Sequence, residues 1–217
     1  MDIKEIMKCI DHTLLKPVAS WEDIQKLCDE ALEFGTASVC IPPCYIEKVH
    51  KKYGDRLTIC TVIGFPLGYS TTETKIYEAE DARKKGAAEI DMVINLTDVK
   101  NGDFARIKDE ISMVKKAVGD RVLKVIVETC YLTKEEKIEM CKIVTEAGAD
   151  FIKTSTGFGT AGACLEDIEL FKEYIGENVK IKAAGGIRTK DEMEEYIHAG
   201  CMRIGSSSAG KILQRQR

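Results

Sequence analysis

Short apolar runs and longer amphipathic segments alternate along the 217 residues of the chain. The amphipathic segments repeat their apolar positions at the 3.6-residue period of a helix. In one of them, Ile138, Cys141 and Val144 recur at helical spacing and share a face, and Glu139 lies on the outside. The pattern predicts helices over residues 21–34, 72–85, 104–118, 133–147, 165–174 and 190–199.

Four of the apolar runs follow a glycine at a regular interval. Gly35, Gly86, Gly148 and Gly200 are 51, 62 and 52 residues apart, about twice the length of one strand-plus-helix unit. Glycine is favoured at the C-terminal end of a helix, where the backbone takes a positive φ. Each interval therefore implies one further strand, and another strand opens the set. The apolar runs that supply these four strands are residues 11–14, 58–63, 122–127 and 179–183.

Eight strands that alternate with helices are typical of a closed parallel barrel. We therefore predict an α/β fold, a single (β/α)₈ barrel domain over residues 1–217 with a short N-terminal helix. An open doubly wound sheet is the alternative, although it normally needs fewer strands.

The composition limits the kinds of molecule that the protein is expected to bind and the cellular compartment in which it is expected to occur. A net charge of −4, spread along the chain, argues against nucleic acid and acidic membranes as the main partner but allows a small phosphorylated molecule. Nine cysteines without a C-x-x-C pair and three histidines without metal-site spacing indicate reduced thiols and no metal. The charged N-terminus has no secretory pattern, and the chain has no run of 18 apolar residues. A cytoplasmic location is expected.

The fifth residue after each of the four glycines indicates a catalytic function. These residues are Cys40, Asp91, Lys153 and Gly205, and alternate strands of a barrel contribute the four side chains of one interior layer. Packing alone would favour large aliphatic side chains there. An acid and a lysine in such a layer therefore point to a catalytic site.

A second lysine, Lys182, ends the strand after the one that carries Lys153. Neighbouring strands lie about 4.8 Å apart, so repulsion and burial together are predicted to depress the pKa of one lysine. A neutral lysine amine is the nucleophile that converts aldehydes and ketones to iminium ions. The alternative is that one or both lysines face outward or pair with Glu128.

Glycine- and serine-rich loops after the seventh and eighth strands indicate an anion site. Gly185 and Gly186 allow close approach of backbone N–H groups, and Ser207 and Ser208 add hydroxyl donors. This fold often binds phosphate at those two loops. The loop from Thr154 to Gly159, directly after Lys153, closes a third side, although a plain flexible turn is the alternative from Gly159 onward.

These residues belong to segments that resemble the deoxyribose-phosphate aldolase family over nearly the whole chain. In combination the segments are highly specific. They are IDHTLLKP (10–17), SVCIPP (38–43), IGFPLG (63–68), EIDMVIN (89–95), FIKTSTGF (151–158) and KAAGGIR (182–188).

The resemblance implies a class I aldolase that reversibly cleaves 2-deoxy-D-ribose 5-phosphate to D-glyceraldehyde 3-phosphate and acetaldehyde, in deoxyribose catabolism. It implies that Lys153 forms the Schiff base, that Lys182 perturbs its pKa and that Asp91 takes part in proton transfer. It further implies that no metal or organic cofactor is needed.

Two features depart from some members of the family. The chain has no C-terminal tyrosine, so proton transfer would rely on water unless a tail is missing. Phe158 stands where some relatives carry a lysine near the phosphate. Binding of the phosphate is then expected to depend on Gly157 and on the glycines and serines of the last two loops, while Thr154 and Cys40 border the sugar.

Two other functions stay open at this point. One is another lysine-dependent aldolase of transaldolase type, although the small space predicted around Lys153 by Val39 and Cys40 suits a two-carbon donor. The other is a non-catalytic phosphosugar-binding barrel. A homodimer or a homotetramer is compatible with the sequence.

Overall fold

Eight parallel strands form a closed barrel in the computed structural model, which describes residues 1–208. The strands are β1 (Ile10–Thr13), β2 (Ser38–Cys40), β3 (Ile59–Ile63), β4 (Glu89–Val93), β5 (Val122–Ile126), β6 (Phe151–Lys153), β7 (Lys180–Ala184) and β8 (Arg203–Ser206). Their order around the barrel is their order along the chain, and β8 pairs with β1 to close it. The predicted barrel is confirmed.

Helices surround the barrel and include the short predicted N-terminal one. They are α1 (Ile3–Met7), α2 (Trp21–Phe34), α3 (Ile46–Tyr53), α4 (Thr72–Lys85), α5 (Leu96–Lys100), α6 (Phe104–Val118), α7 (Lys134–Glu146), α8 (Leu165–Tyr174) and α9 (Lys190–Ala199). Within residues 1–208 no helix is long and apolar enough to cross a membrane.

The predicted helix bounds agree closely with the structure because the ends carry clear local signals. Side-chain and backbone hydrogen bonds form capping boxes at Ser20, Thr133 and Thr189. At the other end, Gly35 and Gly86 take left-handed conformations with φ of 66° and 109°. Only α3 and α5 were not predicted. The five residues of α5 make little more than one helical turn, whereas α3 does show an apolar face, formed by Ile46, Val49 and Tyr53, that the sequence analysis missed.

The barrel interior and the layer between barrel and helices form the core. Isoleucine, valine and leucine are the commonest apolar residues among the buried strand positions, as expected for strands covered on both faces. The mouth of the barrel, where the strands end, is different, since it holds buried lysines and carboxylates.

The loop from β3 to α4 lies tightly against the barrel mouth. Gly68 has a φ of 77°, and a Cβ there would lie 1.9 Å from the backbone oxygen of Ile94. Only glycine fits this position without moving the backbone. The loop thereby holds Phe65, whose ring packs edge-to-face on Phe158 with 5.4 Å between the centroids.

Candidate active site

The four residues predicted to share one interior layer do meet at the barrel mouth. The ammonium nitrogen of Lys153 lies 2.8 Å from Oδ2 of Asp91. The Cys40 thiol lies within 4.8 Å of the Asp91 carboxylate. A Cβ at Gly205 would approach the Lys182 side chain to 3.6 Å, so the absence of a side chain there leaves room for that lysine.

Asp91 connects three lysines. Its Oδ2 accepts hydrogen bonds from Lys153, at 2.8 Å, and from Lys182, at 2.7 Å. Its Oδ1 accepts one from Lys124 at 2.9 Å. All four side chains are almost fully buried, and β-strand register explains why they meet, since Asp91 lies opposite Lys124 and Lys153 lies opposite Lys182.

The charged cluster extends below this centre through residues that the sequence analysis did not single out. Lys124 also contacts Glu89 at 2.6 Å, and Lys182 contacts Asp11 at 2.5 Å. Arg203 binds both Asp11 and Glu89. A signal was present in the sequence, because Lys124 interrupts an otherwise apolar strand, Val122–Ile126.

The lowered pKa predicted for one of the two lysines does not fall on Lys182. Burial opposes the ammonium charge, but the carboxylates of Asp11 and Asp91 outweigh burial and hold the pKa of Lys182 above its ordinary value. The pKa of Asp91 is likewise well below its ordinary value, because the three lysines outweigh its burial. Glu128 is not the partner of either lysine, since its carboxylate binds Thr156.

The cluster predicts a measurable response to acid at Asp11. Burial opposes its negative charge, but Lys182, Lys124 and Arg203 outweigh burial and hold its pKa below the ordinary value. The pKa of an aspartate in the unfolded chain is about 3.9, so the stabilisation is complete well above that pH and is lost as the pH falls toward the lower pKa of the folded state. Asp11→Asn should therefore make the unfolding free energy less pH-dependent below about 4, by up to ~1.4 kcal/mol per pH unit.

Urea unfolding at several pH values at and below about 4 measures this slope for wild type and variant. The exposed Asp120 provides a matched control, because Asp120→Asn removes a carboxylate outside the cluster and should leave the slope unchanged. Equal slopes for the wild type and Asp11→Asn would show that the pKa of Asp11 is not lowered in the folded protein.

A cavity of about 280 Å³ opens above the cluster. Of the seven charged residues of the cluster, Lys153 alone lines it; Lys182, Asp91 and the others lie underneath. The remaining walls come from the ends of β1, β6, β7 and β8 and the loops that follow them. Lys153 is thus the one residue of the cluster that borders the cavity, while its charged partners lie beneath it.

Three of the predicted phosphate-binding residues present unused backbone donors at this cavity. Gly157, Gly186 and Ser207 line it, and within residues 1–208 their N–H groups have no protein acceptor. Gly185 lines it as well. The N–H of Ser208 donates to the hydroxyl of Ser206 instead.

Two further predicted residues lie behind the cavity wall. The Thr154 hydroxyl is buried and hydrogen-bonds the backbone N–H and C=O of Ala184, so it supports the β6–β7 edge. Cys40 is buried beside Cys60, and a hydrogen bond with that thiol lowers the pKa of Cys40. The C-terminal tail considered above lies outside the described residues.

Cys40, Cys60 and Asp91 also place possible metal-ligand atoms within 4.8 Å of one another. Their surroundings oppose a metal cation, because both Asp91 oxygens already accept hydrogen bonds from lysine ammonium groups. The donor set therefore suits a lysine centre better than a metal centre.

A closed (β/α)₈ barrel with a lysine that borders a cavity at its mouth defines a class, the barrel enzymes that act on carbonyl compounds through lysine. Residues 5–216 match the model of the DeoC/LacD family aldolase. The chain is 61% identical over 214 residues to the deoxyribose-phosphate aldolase of Clostridium botulinum (strain Alaska E43 / Type E3), covering 99% of this chain and 97% of that relative. The chain belongs to the DeoC/LacD family of aldolases, which confirms the resemblance.

Solved structures agree with this assignment. A putative deoxyribose-phosphate aldolase from Coccidioides immitis superposes with a TM-score of 0.95 at 37% identity, covering 100% of this chain and 87% of that one. The tetrameric deoxyribose phosphate aldolase from Aeropyrum pernix gives 0.91 at 32% identity, covering 99% and 92%.

Proposed function

We propose that this chain cleaves 2-deoxy-D-ribose 5-phosphate reversibly to D-glyceraldehyde 3-phosphate and acetaldehyde, with Lys153 as the Schiff-base nucleophile. The observation that best supports this reaction is the position of the Lys153 amine. It lies at the floor of the cavity and contacts a carboxylate that also binds Lys182. Membership of the aldolase family supports the reaction type, and the names of the close relatives support the substrate.

The reaction requires an amine, an electron sink and a path for protons. The neutral amine of Lys153 adds to the C1 aldehyde of the open-chain sugar, and loss of water leaves an iminium ion. Removal of the proton from the C3 hydroxyl then lets the C2–C3 bond break, with its electron pair drawn into the iminium to give an enamine. Protonation at C2 and hydrolysis release acetaldehyde and regenerate the amine.

The charged cluster suits the neutral amine through its net charge, and it suits the iminium ion through the contact of Lys153 with Asp91. Its four cations, Lys124, Lys153, Lys182 and Arg203, face three carboxylates, so the cluster is balanced when the Lys153 nitrogen is neutral. Asp91 remains a carboxylate because its pKa is lowered, and it can therefore stabilise the cation that forms on Lys153. We assign Lys182 and Asp91 the transfer of protons between the lysine nitrogen and bound water, since the two groups lie 2.7 Å apart.

The other end of the cavity suits the phosphate. The free N–H groups of Gly157, Gly186 and Ser207 face a common space with Lys153, and Arg188 and Lys16 add positive charge to its walls. Backbone donors in glycine-rich loops bind phosphate because they approach closely and are already oriented. Placing the phosphate here extends the sugar toward Lys153.

The direct test is turnover of 2-deoxyribose 5-phosphate by the purified protein in the presence of a chelator, with detection of both aldehydes. We expect activity that the chelator does not reduce. Turnover of ketose phosphates alone would favour a transaldolase-type reaction. Phosphosugar binding without any turnover would favour the non-catalytic barrel.

Two further properties complete the proposal. We propose a cytoplasmic location, which is consistent with the reduced thiols expected from the cysteine pattern. We also propose a homo-oligomer, because the structurally similar aldolase from Aeropyrum pernix is tetrameric. Size-exclusion chromatography with light scattering would measure the oligomeric state.

A further inference from the structure

Glu128, directly after β5, has an unusual backbone. Its φ is 52°, and within residues 1–208 it is the only residue other than glycine with a positive φ. Side-chain-bearing residues rarely adopt this conformation, and when they do the surroundings usually enforce it. The Glu128 side chain is also buried, with 2% of the residue exposed. A buried acid in a strained conformation beside the active site requires an explanation.

The backbone on either side of Glu128 is bound to the strand that carries Lys153. The N–H of Val127 donates to the backbone oxygen of Lys153, and the N–H of Thr129 donates to that of Thr154, both at 3.0 Å. These two bonds fix Glu128 between them. The left-handed conformation turns its side chain toward the loop that follows Lys153.

The Glu128 carboxylate organises that loop. It accepts hydrogen bonds from the N–H of Thr156, at 3.1 Å, and from the Thr156 hydroxyl. The same hydroxyl accepts a hydrogen bond from the N–H of Phe158 at 3.0 Å. The N–H groups of residues 156 and 158 are therefore both occupied, and the N–H of Gly157 between them is left for a ligand at the cavity.

The loop then closes tightly over Glu128. A Cβ at Gly159 would lie 2.9 Å from the sulfur of Cys130 and 3.2 Å from the Glu128 carboxyl carbon. Glycine at this position therefore allows the chain to pass close to the carboxylate. Contacts on the backbone, the side chain and the closing turn all hold the loop in one shape.

We propose that Glu128 is a positioning residue for the anion-binding end of the site, acting through Thr156 to present the Gly157 N–H to the substrate phosphate. This inference rests on the proposed function for its substrate, although it concerns phosphate binding rather than the carbon–carbon bond. Glu128 does not touch Lys153 or its charged partners, so the chemical step should be largely independent of it.

Glu128→Gln is the test variant, since an amide preserves the shape but replaces one acceptor oxygen with a donor. Calorimetric titration with inorganic phosphate should show binding about tenfold weaker than for wild type, the effect of losing one hydrogen bond to a charged ligand. With 2-deoxyribose 5-phosphate, KM should rise by about tenfold with little change in kcat. With unphosphorylated 2-deoxyribose, kcat/KM should be nearly unchanged.

Glu135→Gln provides the matched control, because Glu135 is an exposed residue of α7 outside the site, and it should change none of these quantities. Thr156→Val removes the hydroxyl that joins Glu128 to Phe158 and should reproduce the phosphate-specific loss; it decides the outcome if Glu128→Gln does not fold.

Unchanged phosphate affinity in the folded variant would overturn the positioning role. Equal losses of kcat/KM with the phosphorylated and the unphosphorylated sugar would also overturn it, as would a wild-type protein that binds no phosphate. A wild type that binds phosphate but cleaves no sugar would refute the proposed reaction alone, and the phosphate titrations would still support the role of Glu128.

Discussion

Lys153→Met is expected to lower kcat/KM for 2-deoxyribose 5-phosphate by more than about 10⁴-fold. The reason is that it removes the nucleophile that forms the Schiff base, rather than a residue that only assists it. Lys153→Arg should be equally inactive, since a guanidinium keeps the positive charge beside Asp91 but does not form an imine under these conditions. A steady-state aldehyde assay on folded protein, checked by circular dichroism, measures both variants.

Lys180→Met is the matched control for this loss. Lys180 lies at the exposed start of β7, two residues before Lys182, and its side chain does not reach the cavity. Its replacement should leave kcat/KM within about twofold, as expected for a surface substitution. Substantial residual turnover in Lys153→Met and Lys153→Arg would mean that another group is the nucleophile.

Asp91→Asn is expected to have the second largest effect, on both stability and activity. The variant leaves three buried lysine side chains with a neutral neighbour, and breaking a buried ion pair typically costs about 3–5 kcal/mol. Activity should fall by about 10²–10⁴-fold, because the carboxylate no longer stabilises the iminium ion or takes part in proton transfer. Urea unfolding and kcat measured on the same preparations separate the two effects.

Glu110→Gln separates lost stability from lost catalysis. Glu110 is also a buried acid, and it binds the buried Lys75 at 2.8 Å between α4 and α6, outside both the charged cluster and the lining of the cavity. This variant should lose stability comparably but keep kcat per folded molecule. If Asp91→Asn loses stability while kcat stays near wild type, Asp91 has a structural role only.

The barrel could be predicted from the sequence because its signals are local. Helix periods, capping residues and the recurring glycines each depend on a few neighbouring residues, and they placed most elements within a residue of their observed ends. The layer that joins Asp91 and Lys153 also followed from the repeat, since equivalent positions of alternate strands point to the same interior level.

The electrostatics of the site could not be predicted in the same way. Lys182 was expected to repel Lys153, but Asp11, which is 171 positions earlier in the chain, lies 2.5 Å from its amine. The pKa of Lys182 depends on which carboxylates the closed barrel brings to the same level. Those carboxylates are set by the pairing of strands that are distant in the sequence. The burial of Lys75 could not be predicted from the sequence either. It lies on a helix rich in charged residues, where a lysine is expected to be exposed to solvent, but in the structure it is buried against Glu110.

Glu128 illustrates a further kind of information that the sequence did not contain. Its position after a strand suggested a salt-bridge partner for a lysine, whereas the structure pairs it with Thr156 through a left-handed backbone. A positive φ at a non-glycine residue has no reliable sequence signal. The fold therefore follows from pattern, while the arrangement around the substrate follows from long-range closure of the barrel.

Reductive trapping tests the central claim most directly. The protein is incubated with acetaldehyde and borohydride, digested, and its peptides are analysed by mass spectrometry. We predict a single ethyl adduct on Lys153, dependent on both reagents and prevented by Lys153→Arg, with none on Lys182 or Lys124. An adduct on one of those two lysines instead, or no site-specific adduct at all, would contradict the assignment of Lys153 as the Schiff-base nucleophile.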